Sequence, residues 1–391
     1  MSQKINILYL GGFKLPNKNA ASHRVIELRK IINSIGGSLY AIGVNSYSKD
    51  LEKISEVDYE VPYPSSIIQW IKYLFSIRYF RAFLKIHQEI NIVVLYNYQS
   101  LASYRIIKFC RKNDIRIISD STEWYSGNSG NLLFRLIKKL DTFTRMRYIN
   151  RISDSIIVVS TYLKNIYYKR DVFVIPMLFT KTIFENGCTR NKIVKLSYNG
   201  VPFVIGKRLK KRSDAKDRLD IVIFMLYRLH LIGVDFQFNI YGITLEEYLT
   251  TLPQDSKYIE SLGLKIKFHG FIESTSLRKK IVESDYTILI RDSNRVTLAG
   301  FPTKFSESIS LGVPVIANMI GDVSKYLKDG INGYAIDIFD LETSISKLKT
   351  ILEQSLIERN ELRDSCIKYE DLSTETWSEK VGEFFREILD C

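Results

Sequence analysis

The chain has 391 residues, 46% of them hydrophobic, and carries 56 Lys+Arg against 43 Asp+Glu, a net charge of +13. That is ample material for about two ordinary cores, and eight prolines without biased tracts argue against long disorder. No apolar run reaches the roughly 18 residues of a membrane-spanning helix, and only MSQK precedes the first apolar segment, so no secretory leader is expected. The four cysteines (Cys110, Cys188, Cys366, Cys391) are scattered without metal spacing and read as reduced thiols of a cytoplasmic protein. The charge is uneven: residues 1–190 hold 28 Lys+Arg against 14 Asp+Glu, and residues 191–391 hold 28 against 29. Such asymmetry points to an acidic partner of the first half: nucleic acid, anionic lipid or an anionic substrate.

Strand and helix signals alternate from the start. INILYL (5–10) stops at Gly11-Gly12, a helix is expected over 21–35, and strands over 38–44, 91–97, 115–119 and 155–160. Helical stretches at 66–88, 99–112 and 131–151 separate them. The pattern stumbles near 176–192 and restarts with a strand at 195–200, a helix at 215–232, strands at 235–242 and 265–270, a helix at 275–283 and a strand at 285–291. A short helix holding Glu307 and a strand at 313–318 follow. Strand–helix alternation implies α/β layers with parallel sheet. The expected architecture is two facing Rossmann-like domains with a cleft between them, 1–188 and 189–373. An amphipathic helix over 374–391 (Trp377, Val381, Phe384, Phe385, Leu389) packs back on the first domain.

Ligands of such sheets bind beyond the carboxyl ends of the strands. The segment AGFPTKFSESISLGVPVI (299–316) stands out there. A loop with Gly300, Pro302 and Lys304 enters a helix, whose free amides and dipole favour an anion. Lys304 adds a full positive charge. Glu307, one turn further, suits sugar hydroxyls rather than phosphate. A cation for phosphate beside a carboxylate for ribose describes a nucleoside-diphosphate sugar. Gly11-Gly12 allows close approach of backbone to a diphosphate or acceptor, or makes only a tight turn. Asp120, Glu123 and Trp124 follow a buried strand, where Asp120 or Glu123 is a candidate for acceptor binding or base work. The run Lys207, Arg208, Lys210, Lys211, Arg212 and Lys216 reads first as a solvated face. The four histidines read as structural, and no Asp-x-Asp pair occurs. The basic, aromatic stretches 66–88 and 131–151 suit a membrane interface, or ordinary packing of two-faced helices.

The second half resembles the retaining glycosyltransferases of family 4, which have the GT-B fold. The resemblance rests on Glu307-Ser-Ile-Ser-Leu-Gly312-Val-Pro314-Val315, on GDVSKYLKDGINGYAI (321–336) and, in the first half, on SDSIIVVSTYL (153–163). The AGFPTKFxE and DxTEWY segments are similar to those of polysaccharide-assembly members. The resemblance implies Lys304, Phe305 and Glu307 at the donor, and Lys216 with Lys207 or Arg208 as phosphate ligands. Ala299 stands where the family carries its first glutamate, so Arg291, Asp292, Asn294 and Arg295 become candidates for its sugar contacts. The donor set is thus Gly11, Gly12, Lys207, Arg208, Lys216, Arg291, Asn294, Arg295, Lys304, Phe305 and Glu307, and the catalytic set Glu123, Asp120 and Lys304.

The expected activity is metal-independent transfer of a hexose, without cofactor, from a nucleoside-diphosphate sugar. The acceptor would be a glycan or lipid-linked glycan in capsule or lipopolysaccharide synthesis. The protein would touch the inner face of an anionic membrane peripherally, with no nucleic-acid partner. The alternatives are a nucleotide-sugar epimerase of the same fold, or a basic lipid- or nucleic-acid-binding protein without catalysis.

Overall fold

The computed structural model describes residues 3–16, 19–124, 132–182, 192–206, 208–209 and 211–390. It divides into two compact units. The first comprises Met1–Leu178, Leu298–Phe301 and Thr374–Cys391, and the second Phe179–Thr297 and Pro302–Ser373.

In the first unit, strands β1 (Asn6–Gly11), β2 (Ser38–Asn45), β3 (Glu52–Lys53), β4 (Asp58–Pro62), β5 (Ile92–Tyr96), β6 (Arg116–Ser121), β7 (Ser155–Val158) and β8 (Val172–Val174) form one sheet. Its order is β3-β4-β2-β1-β5-β6-β7-β8, parallel except for the antiparallel β3-β4 pair. Helices α1 (Ala20–Ser34), α2 (Ile67–Phe75), α3 (Arg78–Ile86), α4 (Ser100–Lys112), α5 (Leu132–Thr144) and α6 (Thr161–Ile166) fill the connections. The central strands are apolar on both faces because both are covered. Ile7, Tyr9, Ile92, Val94 and Ile118 pack with α1, whereas Leu8, Leu10, Val93 and Leu95 pack with Phe80, Phe83 and Ile106.

Strands β3, β4 and β8 were not expected from the sequence. Strand β4 hides its signal because Asp58 and Glu60 are buried, Asp58 against Arg29 and Glu60 accepting from Asn45 at 2.7 Å. The helix expected over 66–88 is two helices. Ser76 turns extended after Phe75, and Ile77 drops into the core.

In the second unit, β9 (Lys195–Asn199), β10 (Gln237–Tyr241), β11 (Ile266–Phe268), β12 (Tyr286–Leu289), β13 (Val315–Asn318) and β14 (Gly333–Ile336) form a parallel sheet. Its order is β11-β10-β9-β12-β13-β14, which places the topological switch between β9 and β12. Its helices are α7 (Leu219–Leu231), α8 (Leu245–Thr251), α9 (Ser256–Leu262), α10 (Ser274–Val282), α11 (Arg295–Ala299, whose last two residues lie in the first unit), α12 (Thr303–Ser310), α13 (Val323–Tyr326), α14 (Leu341–Leu352) and α15 (Leu356–Lys368). The last helix, α16 (Thr374–Asp390), belongs to the first unit. It lies against α1, with Phe384 stacked on Phe173 at 4.6 Å and Thr374 Oγ1 donating to Glu27 Oε2 at 2.6 Å. Among the described residues, no helix is long and apolar enough to cross a membrane.

A buried ion pair ties the first sheet to α1. Arg24 donates through Nε and Nη2 to Asp120 at 2.7 and 3.1 Å, and through Nη1 to the carbonyls of Ile175 and Pro176. Tyr9 donates its hydroxyl to the same carboxylate, and burial together with Asp120 holds that phenol well above its ordinary pKa. Removing one partner of a buried pair strands the other charge, at roughly 3–5 kcal/mol. Arg24→Ala is therefore expected to destabilise the first unit by about that amount, measured as a fall in its denaturant midpoint.

Candidate functional site

The site grows from the carboxyl ends of β9 and β12. Strand β9 is followed by Gly200, whose φ is +121° and whose amide donates to the Tyr241 carbonyl at 2.7 Å. A Cβ at Gly200 would meet Lys304 Cε at 2.6 Å, so the missing side chain is what admits the lysine. The chain then runs to Lys216 and Asp217, whose amides both donate to the Pro202 carbonyl.

Asp217 is 1% exposed and gathers three donors. Its Oδ2 accepts from Tyr198 OH at 2.7 Å and from Lys304 Nζ; its Oδ1 accepts from Arg291 Nε at 2.7 Å. Lys304 Nζ also donates to Tyr198 OH at 2.7 Å and lies over that ring, 4.2 Å from its centroid. Burial alone would raise the Asp217 pKa, but the charges of Lys304 and Arg291 outweigh it and hold the carboxyl below its ordinary range. Burial pushes Lys304 down to about 8; Asp217 opposes that shift, and Arg291 and Lys216 add to it. Arg291 is fixed by its backbone as well. Its amide donates to Asn318 Oδ1 at 3.0 Å, and Asn318 Nδ2 donates to its carbonyl at 2.8 Å, which clamps β12 to β13.

Helix α12 brings Lys304 and Glu307 to one face at i, i+3 spacing. Pro302 occupies its N-cap and no side chain caps it. The Glu307 carboxylate is half-buried and accepts no hydrogen bond among the described residues. Desolvation raises its pKa against the opposing charges of Arg278 and Lys304. Arg278, on α10, donates to Thr182 Oγ1 at 3.0 Å. The group thus combines two cations and a phenol around one buried carboxylate with a second, unbonded carboxylate, Glu307, on the helix that carries Lys304. A cationic excess of this kind suits a phosphate, and an unpartnered acceptor suits a hydroxyl.

The other expected residues divide clearly. Lys216 and Arg208 are exposed, and Lys207 lies outside the described residues. Asn294 uses its Oδ1 locally, accepting from the amides of Val296 and Thr297, and Arg295 is exposed on α11. Asp292 receives Arg218 Nη1 at 2.7 Å. Phe305 is fully buried, so its side chain is core and not a donor contact. Gly11, Gly12, Asp120 and Glu123 belong to the first unit. A Cβ at Gly11 would strike Phe13 and Tyr96 at 2.9 Å, whereas Gly12 faces open space. Asp120 is 1% exposed with its carboxylate held by Arg24 and Tyr9, which leaves it no free oxygen for base work. Glu123 is exposed on the loop after β6. Ala299 is fully buried, and its carbonyl accepts from Ser160 Oγ at 2.8 Å.

Sequence reasoning did not find Tyr198, Arg278 or Asn318. Tyr198 had a signal, an aromatic two residues before a strand-ending glycine. Arg278, in an ordinary polar helix, had none.

Residues 217–371, the greater part of the second unit, match the model of the family described as glycosyl transferases group 1. No curated protein sequence matches the chain. Several solved structures are similar over nearly the whole length. Sucrose-phosphate synthase from Thermosynechococcus elongatus has 11% identity and a TM-score of 0.67, covering 99% of this chain and 100% of its own. The pneumococcal O-GlcNAc transferase GtfA in complex with UDP and GlcNAc has 12% identity and a TM-score of 0.64, covering 99% and 100%. Anabaena Alr3699/HepE in complex with UDP-glucose has 11% identity and a TM-score of 0.61, covering 98% and 100%. At such identities the likeness establishes the fold, which is the two-sheet α/β fold of the GT-B glycosyltransferases.

Asp217 is what keeps Lys304 charged against the desolvation around it. Asp217→Asn is expected to lower the Lys304 pKa below about 8. The measurement is the pH at which Lys304 becomes half-reactive toward an acylating reagent, read by peptide mass spectrometry.

Proposed function

We propose that the chain transfers a hexose, with retention, from a nucleoside-diphosphate sugar to a glycan or lipid-linked glycan in surface-polysaccharide synthesis. The observation that carries the reading is the Lys304–Asp217–Arg291 network beside the unbonded Glu307, inside the segment that matches the group 1 glycosyl transferases. The complexes of the two UDP-bound neighbours support a nucleotide-sugar donor. The polysaccharide-assembly resemblance of 299–307 and 120–125 supports the acceptor class, carried at the inner face of a membrane that the protein touches peripherally.

In this reading Lys304, with the uncapped start of α12, receives the diphosphate, and exposed Lys216 joins it. Cleaving the glycosyl–phosphate bond leaves negative charge on the departing diphosphate. Donors already aimed at that charge lower the barrier more than they stabilise the bound substrate. Glu307 accepts from the ribose hydroxyls. Asp217 holds Lys304 and Arg291 in place before the anion arrives, so no reorganisation is needed at that moment. These cations belong to the protein, so the reading calls for neither metal nor cofactor. Glu123 is the first unit's remaining carboxylate for the acceptor.

Thermal-shift measurements against UDP, GDP and their sugars test the donor, because a ligand that binds only the folded state raises the melting temperature. At least one nucleoside-diphosphate sugar is expected to do so, and a chain indifferent to all of them would sink the reading. Lys304→Ala is expected to cut transfer about 10²-fold or more while the fold survives. A donor incubated without acceptor is expected to be recovered with its sugar unepimerised. Lys304 binds diphosphate as a cation, so affinity should weaken as pH rises through about 8, readable by titration calorimetry.

A further inference from the structure

Helix α2 buries none of its nine residues, although most are apolar. Ile67, Ile68, Ile71 and Phe75 are 46–68% exposed and lie on one face. The neighbouring helices do the same. On α4, Leu101 and Tyr104 face solvent at i, i+3; on α5, Leu136, Leu140 and Phe143 do so at i, i+4 and i+7. The three helices are joined. Arg105 of α4 donates to the Phe75 carbonyl at 2.6 Å, and the amide of Ser100, at the start of α4, donates to Asp141 of α5 at 2.7 Å. Three adjacent apolar stripes form a far larger patch than scattered surface residues.

The charge around this patch is one-sided. Helices α2, α3, α4 and α5 carry eleven Lys or Arg and one acid, Asp141, which caps α4 through the amide and hydroxyl of Ser100. The patch is therefore apolar with a cationic surround. Nucleic acid would leave the isoleucines and leucines unused. A second copy of the chain would bring eleven cations against eleven. An anionic bilayer satisfies both features, because apolar side chains enter the interfacial region and cations meet phosphates.

We propose that the outward faces of α2, α4 and α5 are a docking surface for an anionic lipid bilayer. Ile68, Ile71, Leu140 and Phe143 enter the acyl boundary, and Lys108 and Lys139 meet the headgroups. The inference deepens the peripheral contact proposed above by naming its surface, but rests on the first unit alone and not on the donor chemistry.

Flotation of the full chain with phosphatidylglycerol-rich and with pure phosphatidylcholine vesicles tests it. The wild type is expected to bind the anionic vesicles about tenfold or more better, and less at high salt. Ile68→Ser/Ile71→Ser and Lys108→Glu/Lys139→Glu should each reduce that binding about tenfold. All four positions are exposed, so melting temperature and nucleotide-induced thermal shift should match the wild type. Equal binding to both vesicle types overturns the proposal, and so do variants that float like the wild type. A wild-type dimer in light scattering that Ile68→Ser/Ile71→Ser dissociates, without vesicle binding, assigns the patch to self-association instead. Loss of flotation with the nucleotide response intact bears on this surface only; loss of the nucleotide response with flotation intact bears only on the donor site.

Discussion

A carboxylate with almost no solvent contact, held between an ammonium and a guanidinium, organises the carboxyl end of the second unit's sheet. Without Asp217, Lys304 and Arg291 would be two desolvated cations close together, each repelling the other and neither hydrated. With it, they stand fixed, and two cations on one carboxylate still leave a surplus positive charge. The bareness of Gly200 is part of the same constraint, since any side chain there would push the lysine off its partners. Strand end, glycine and carboxylate thus act together to keep positive charge at the edge of a low-dielectric interior, where electrostatic attraction is strongest.

Much of this was legible in the sequence, for identifiable reasons. Continuous apolar strands such as NIVVLYN announce a sheet covered on both sides, and the segments 195–200 and 265–270 each end on the glycine that turns the chain. Lys304 and Glu307 were readable because a helix start fixes their geometry from spacing alone. Other features were hidden because their logic is tertiary. Strand β4 carries acids that only distant Arg29 and Asn45 make tolerable in the interior. Asp120 stands at a strand end, where catalytic carboxylates gather, and nothing nearby in sequence reveals that Arg24, 96 residues away, claims it. Phe305 sits in the motif but turns inward, a direction that helix phase decides. Asp217 follows Lys216 with no sequence signal of its own, although it is the residue on which the cluster closes.

The two halves use basic residues in opposite ways. In the second unit the cations that matter are few, sunk into the protein and fixed by hydrogen bonds. Their value lies in geometry and survives salt poorly screened. In the first, cations are many, exposed and spread over α2 to α5, with long-range attraction that falls steeply with ionic strength. A net charge of +13 conceals this division, since the second half is close to neutral.

Helix α16 has a consequence for biosynthesis. It lies on α1 and on the face of the first sheet lined by Ile7, Tyr9 and Phe173, yet residues 179–373 are translated in between. While the ribosome makes that stretch, this apolar face stays without its cover, and chaperones are the natural tenants of such a surface. The first unit begins before the second and is completed after it. A premature stop just short of Thr374 would leave the second unit whole and the first one open, so the product would be lost to aggregation or proteolysis rather than to failed chemistry.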